Sequence, residues 1–211
     1  MIIIKSNFTT QYIESLDIIY CKQPEMWEYF CDNIPIFSKV NNYDSLVSIA
    51  KKVHKDNYNI IVNSKTKYEK YLINNNIEEV LYDIFKVKIN NVKAYICITP
   101  LFTRNIYNNS FLLPTNANKK RFYNIVIHEI IHFYYYKKVN KSKLLLDDNT
   151  IWKISELIVD PIIKIMFPKY YINDNKYNFT SEERKLSYKT VKQFINKEID
   201  FENLLGRLKG E

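Results

Sequence analysis

The chain has 211 residues, the size of one ordinary domain, and its residues are 46% hydrophobic and 15% aromatic. These fractions exclude an intrinsically disordered chain, in which both are depleted. The formal net charge of +8 comes mostly from lysines spread along the whole sequence. Because lysine is in excess together with Asn, Ile and Tyr, the charge indicates adenine- and thymine-rich codons rather than a nucleic-acid or membrane ligand.

Glycine and cysteine usage narrow the function classes further. Only two glycines occur, Gly206 and Gly210, so a P-loop and a glycine-rich dinucleotide-binding turn are excluded. The three cysteines form no C-x-x-C pair, which argues against a disulfide framework and against a cysteine zinc site. The apolar run from Met1 to Ile4 is too short for a signal peptide, and no segment has transmembrane length. We therefore expect a cytoplasmic protein with no membrane partner.

The first part of the chain is predicted to be mostly helical. From Thr9 to Lys88 the pattern indicates helices that are interrupted by Pro24 and Pro35. Short strands are predicted at Ile2 to Ile4 and at Asn59 to Val62, where β-branched residues cluster.

The next segment contains two further predicted strands. Val92 to Thr99 and Ser110 to Leu113 are rich in β-branched, aromatic or other apolar residues, and a proline follows each of them. These strands would form a small sheet beside the helix that follows. The sequence therefore predicts an α+β fold that is mainly helical, with a small sheet packed beside that helix.

Three helices are predicted in the second half of the chain. The first begins after Asn116 to Asn118 and continues to about Lys138. The second extends from Asp148 or Asn149 to about Phe167, and the third begins at Thr180, where Thr180 and Glu183 have the spacing of a capping box.

The first of these helices contains His128-Glu129-Ile130-Ile131-His132, an H-E-x-x-H motif. Its two histidines lie four residues apart and therefore on one helical face, where both can bind one zinc ion. Glu129 is placed to take a proton from zinc-bound water as a general base. About 0.003 chance matches to this motif are expected in a chain of this composition. The alternative is a hydrogen-bonded histidine pair with a structural role, which does not explain the glutamate.

A second cluster of acidic residues lies in the next predicted helix. Glu156 and Asp160 are four residues apart on one face of an otherwise apolar segment. Glu156 can supply the third protein ligand of the metal. Asp160 can accept the second N–H of a ligand histidine and thereby fix its tautomer. The alternative is a pair of solvated helix charges.

These five residues resemble the motifs of the gluzincin metallopeptidases, the thermolysin-like group, in which H-E-x-x-H on one helix is followed by E-x-x-x-D on the next. The resemblance extends over roughly residues 92–167, with 24 positions from His132 to Glu156. It implies a zincin-like α+β core, with an edge strand near Asn109 to Leu113 that pairs with an extended peptide. Pro161, directly after Asp160, removes a helical hydrogen bond and is expected to bend the second helix.

Residues 1–211 are accordingly predicted to form a single domain with three consecutive parts. Residues 1–90 would be a mostly helical N-terminal part, residues 91–168 the zincin-like catalytic core, and residues 169–211 a C-terminal helical segment. The predicted function is a zinc-dependent metallohydrolase, a peptidase with one zinc ion per chain and a peptide or protein substrate.

Two other function classes account for parts of the sequence. A regulatory or interaction protein with the same zinc fold could act as a sensor, or cleave one specific partner, with little general protease activity. A basic nucleic-acid binder would need its cations gathered on one face among aromatic residues. The even spread of lysines argues against that class, so no nucleic-acid partner is expected.

Overall fold

The computed structural model describes residues 1–73, 75–98, 103–173 and 179–209. These residues form a mainly helical α+β structure with a small sheet, which confirms the predicted fold class. In chain order the strands and α-helices are β1 (Ile2–Lys5), α1 (Thr10–Lys22), α2 (Pro24–Asn33), α3 (Tyr43–Asp56), α4 (Tyr58–Leu72), α5 (Ile77–Phe85), β2 (Val92–Cys97), β3 (Arg104–Asn105), β4 (Ser110–Pro114), α6 (Lys119–Val139), α7 (Asp148–Met166), α8 (Ser181–Ile195) and α9 (Phe201–Lys209). Short 3₁₀ helices lie at Pro35–Lys39 and Pro168–Tyr170.

Contacts between residues divide the chain into two compact units, each built from separate stretches of sequence. The first, here called the sheet unit, comprises residues 2–73 and 91–117. The second, here called the helical unit, comprises Met1 and residues 74–90 and 118–211. The helix that carries the H-E-x-x-H motif therefore belongs to the same unit as the C-terminal helices.

The sheet unit contains a four-stranded sheet in the order β1-β2-β4-β3 within the described residues. β1 and β2 are parallel, β2 and β4 are parallel, and β3 pairs antiparallel with β4. The prediction of an edge strand near Asn109 to Leu113 is wrong, because β4 lies between β2 and β3. Every residue of β4 is buried, as expected of an apolar strand in the interior of a sheet.

One of the predicted strands is a helix in the structure. Residues 59–62 lie within α4, so the strand predicted at Asn59 to Val62 is wrong. The buried side chains of α4 are Ile61, Ser64 and Tyr68, which recur at intervals of three and four residues and thus share one helical face. The helical period of the longer segment prevails over the β-branched residues of a four-residue run. No described helix combines the length and apolarity that are needed to cross a membrane.

The helical unit is built around α6, which packs against α5 and α7. Apolar residues surround α6 on nearly all sides, and most of its central residues are buried. Asn118 caps its N-terminus by accepting a hydrogen bond from the backbone N–H of Arg121 at 2.9 Å. On the α5 side, the Phe85 ring lies 6.0 Å from the Tyr134 ring, between ring centres. The motif therefore lies on a helix that is packed between α5 and α7.

α7 and α8 complete the surroundings of the motif. Asp147 caps α7 by accepting a hydrogen bond from the N–H of Thr150 at 2.9 Å, and α7 continues through Pro161 to Met166. α8 begins with the predicted capping box, in which Thr180 and Glu183 each accept a hydrogen bond from the other's backbone N–H. The buried Ser187 hydroxyl donates to the carbonyl oxygen of Leu157 at 2.6 Å and so connects α8 with α7.

Candidate metal centre

The two histidines of the motif lie one turn apart on α6 and face the same point. Their ring centres are 4.9 Å apart, at an angle of 61° between the ring planes. The His132 side chain is completely buried, whereas 22% of the His128 side chain is exposed. One imidazole is therefore enclosed by the helical unit, and the other reaches its surface.

Glu156 lies on α7, and one of its carboxylate oxygens lies near both histidines. Its Oε2 lies 3.5 Å from Nε2 of His132 and 3.7 Å from Nε2 of His128. The Glu156 side chain is only 1% exposed. A buried carboxylate is costly unless positive charge or several donors compensate it. A cation shared with the two imidazoles would supply that compensation.

The separations between these atoms agree with a shared metal ion. Both exceed the 2.7–3.2 Å of an N–H···O hydrogen bond. They are close to the roughly 3.4 Å that separates two ligands on a tetrahedral ion with bonds of about 2.1 Å. The ligand atoms of all three residues lie within 4.8 Å of one another. His128, His132 and Glu156, here called the His–His–Glu group, could therefore hold a metal ion.

The two remaining predicted site residues occupy different surroundings. Glu129 is 3% exposed and lies next to His128 on α6. Asp160 follows Glu156 by one turn of α7 and is half-buried. Asp160 also acts on the Tyr171 hydroxyl, whose pKa is raised above its usual range by burial and, secondly, by the Asp160 charge. The roles of Glu129 as base and Asp160 as partner of a ligand histidine stay predictions.

A cavity of about 400 Å³ opens beside the His–His–Glu group, within the helical unit. His128 and Glu156 line one end of it, whereas His132 and Glu129 are not among its described lining residues. A ligand in the cavity would therefore approach the group from the side of His128. Volumes of about 300–1,000 Å³ are typical of small-molecule and cofactor sites.

The sequence did not indicate the rest of this cavity. Lys164 of α7, Tyr171, and Arg184 and Tyr188 of α8 also line it. One signal was present, since Glu156, Asp160 and Lys164 repeat at intervals of four residues and thus share one face of α7. The side chains beyond α7 carry no such signal, because nothing in the local sequence connects them with the motif.

Comparisons of the chain with protein-family models, with curated proteins and with solved structures found no match. The resemblance to the gluzincins therefore stays a prediction that depends on five residues of the sequence.

Proposed function

We propose that this chain is a zinc-dependent metallohydrolase that cleaves peptide bonds, with His128, His132 and Glu156 as zinc ligands. One observation carries the proposal: two imidazole nitrogens and one carboxylate oxygen converge beside a cavity that His128 and Glu156 line. Two histidines and one glutamate, with the fourth position left for water, form a ligand set that is typical of catalytic zinc sites. Structural zinc sites usually have four protein ligands and no open position for water.

The residues of the chain would divide the chemistry as follows. A bound zinc ion supplies a Lewis acid that lowers the pKa of a water molecule to about 7 and polarises a carbonyl group. Glu129 accepts the proton of the attacking water and transfers it to the leaving amine. The cavity beside His128 holds the substrate chain, and the buried surroundings of Glu156 keep its carboxylate in place.

The proposal is tested by the metal content of the purified protein, measured by mass spectrometry, together with cleavage of a peptide library. We expect one zinc ion per chain. The His132→Ala variant should lose the zinc. The His54→Ala variant is the matched control, because His54 belongs to the sheet unit and should not affect zinc content. Absence of zinc from the wild type, or its retention in His132→Ala, would overturn the proposal.

Glu129→Gln separates metal binding from chemistry. This variant should keep the zinc ion and lose cleavage by about 10²- to 10⁴-fold, the range of a general base. Asp160→Ala should weaken zinc binding by roughly 10- to 100-fold if its carboxylate orients a ligand histidine. Zinc bound by a wild type that cleaves no peptide in the library would instead favour the regulatory protein, which acts on one partner.

A further inference from the structure

The cavity beside the His–His–Glu group extends along one face of α7. Glu156 lies at one end and Lys164 lies eight residues further on, two helical turns or about 12 Å along the axis. An extended peptide covers about 3.3–3.6 Å per residue. A substrate bound at the metal would therefore reach Lys164 after roughly three or four residues.

The ammonium group of Lys164 is held against two aromatic side chains. Its Nζ lies 5.8 Å from the centre of the Tyr171 ring and 5.4 Å from the centre of the Tyr188 ring. Both distances are within the range of cation–π attraction, which restricts the long side chain. Among the residues that the structure describes, Lys164 forms no ion pair. Its charge is therefore available to a ligand in the cavity.

The other charges of the cavity leave a positive excess. Its described lining contains the three cations Lys164, Arg184 and Lys185 and the two carboxylates of Glu156 and Asp160. Arg184 is oriented by the segment before α8, since its Nε donates to the carbonyl oxygen of Phe179 at 3.3 Å. A divalent ion at the His–His–Glu group would increase the positive excess further. A negatively charged ligand is therefore favoured over a neutral or positive one.

The charges of Asp160 and Arg184 both affect the Tyr171 hydroxyl in this cavity. The pKa of Tyr171 is raised chiefly by burial and further by Asp160, whereas the charge of Arg184 acts in the opposite direction. At the Tyr171 hydroxyl the charge of Arg184 therefore offsets part of the effect of Asp160. Lys164 and Lys185 are the two remaining cations of the described lining, and Lys164 is the one whose ammonium group lies over the Tyr171 and Tyr188 rings.

Building on the proposed function, we propose that the substrate carries a carboxylate about three or four residues from the cleaved bond and that Lys164 binds it. The carboxylate can belong to an Asp or Glu side chain or to the C-terminus of a peptide. Both sources offer the same acceptor oxygens to the Lys164 ammonium, and the contact is a charge-assisted hydrogen bond. Tyr171 and Tyr188 provide the apolar walls beside it.

The test measures binding by isothermal titration calorimetry, with Glu129→Gln used to prevent turnover. The probes are N-acetylated hexapeptides on one scaffold that differ by Glu against Gln at each position, and by a free against an amidated C-terminus. We expect one acidic position, or the free C-terminus, to bind about three- to fivefold tighter than its neutral counterpart. The pair of peptides whose affinities differ identifies whether the carboxylate belongs to a side chain or to the C-terminus.

Two variants assign the preference to Lys164. In Lys164→Gln the acidic and the neutral peptide of the pair should have dissociation constants within twofold of each other. Lys164→Glu should instead prefer a peptide with Lys at the same position. Lys169→Gln is the matched control, because the Lys169 ammonium also lies over a tyrosine ring, 4.7 Å from the centre of Tyr170, but does not line the cavity. It should keep the wild-type preference.

The outcomes separate this inference from the proposed function. Equal binding of all acidic and neutral pairs, or a preference that persists in Lys164→Gln, would overturn the role of Lys164 even if zinc and cleavage are found. A Lys164-dependent preference for acidic peptides, found in a protein without peptidase activity, would support the acidic ligand. That outcome would refute the proposed hydrolysis but not the role of Lys164.

Discussion

Replacement of Glu156 by Gln separates metal binding from packing in the His–His–Glu group. Gln has nearly the shape of Glu, and the Glu156 side chain is 1% exposed, so Glu156→Gln removes the charge while leaving the volume unchanged. A ligand that binds only the folded state stabilises it by about 2.7 kcal/mol at a concentration 100 times its dissociation constant. For a chain of this length that corresponds to an increase in Tm of about 5–10 °C.

The variant should lose almost all of this gain. If loss of the carboxylate weakens zinc binding by at least 100-fold, the same zinc concentration stabilises Glu156→Gln by less than about 0.5 kcal/mol. In the presence of a chelator the two proteins should unfold with similar midpoints or with the variant slightly more stable, because Gln avoids the burial of an uncompensated charge. The zinc response and the intrinsic stability therefore change independently.

Tryptophan fluorescence can report this response from the helical unit alone. The chain has two tryptophans, of which Trp27 lies in the sheet unit and Trp152 lies on α7, one turn before Glu156. In a Trp27→Phe background, thermal unfolding followed at Trp152 should shift upward with zinc and not with magnesium, which prefers oxygen ligands. An equal zinc shift in Glu156→Gln, or none in the parent, would refute the assignment of Glu156 as a ligand.

Two further predictions concern the stability of the helical unit, measured by urea unfolding. The Tyr135 hydroxyl is buried without a hydrogen-bond partner among the described residues, whereas the Tyr134 hydroxyl donates to a backbone carbonyl of α5 at 3.1 Å. Tyr135→Phe should thus raise the free energy of unfolding by about 1 kcal/mol and Tyr134→Phe should lower it by about as much; the reverse order would contradict this. In the α8 capping box, hydrogen bonds from Lys153 and then from the Thr180 N–H lower the pKa of Glu183. The stabilisation by Glu183 is therefore complete above its unfolded pKa of about 4.3 and decreases as the pH falls through the lowered folded value, so Glu183→Gln should destabilise more at pH 7 than at pH 3.

Local sequence patterns predicted α6 and α7, the two helices that carry the candidate metal ligands. The helix predicted to run from about residue 119 to Lys138 is α6, and the helix predicted from Asp148 is α7, because each combines an N-terminal cap with a long apolar segment. The spacing of His128 and His132 then predicted a shared ligand point, and the structure brings Glu156 to it. The helices and the histidine pair depend on residues that are close in sequence, whereas Glu156, 24 positions after His132, was predicted from its place on an apolar helix.

Features that depend on distant pairing were not available from the sequence. The interior position of β4 depends on β3, a strand of two residues that has no recognisable pattern of its own. The far end of the cavity depends on Tyr188, which α8 places beside Lys164 across a gap of 24 positions. Short strands and side-chain positions of this kind are set by tertiary packing rather than by local propensity.

The interleaving of the two units has a consequence for synthesis on the ribosome. α5 emerges before residues 91–117, but its buried residues Ile77, Leu81 and Phe85 belong to the helical unit, most of which is translated later. The apolar face of α5 therefore stays exposed, or covered by a chaperone, until α6 has been translated. A fragment that begins at residue 91 would contain all three zinc-ligand candidates but would lack the helix that supports α6 from the Tyr134 side.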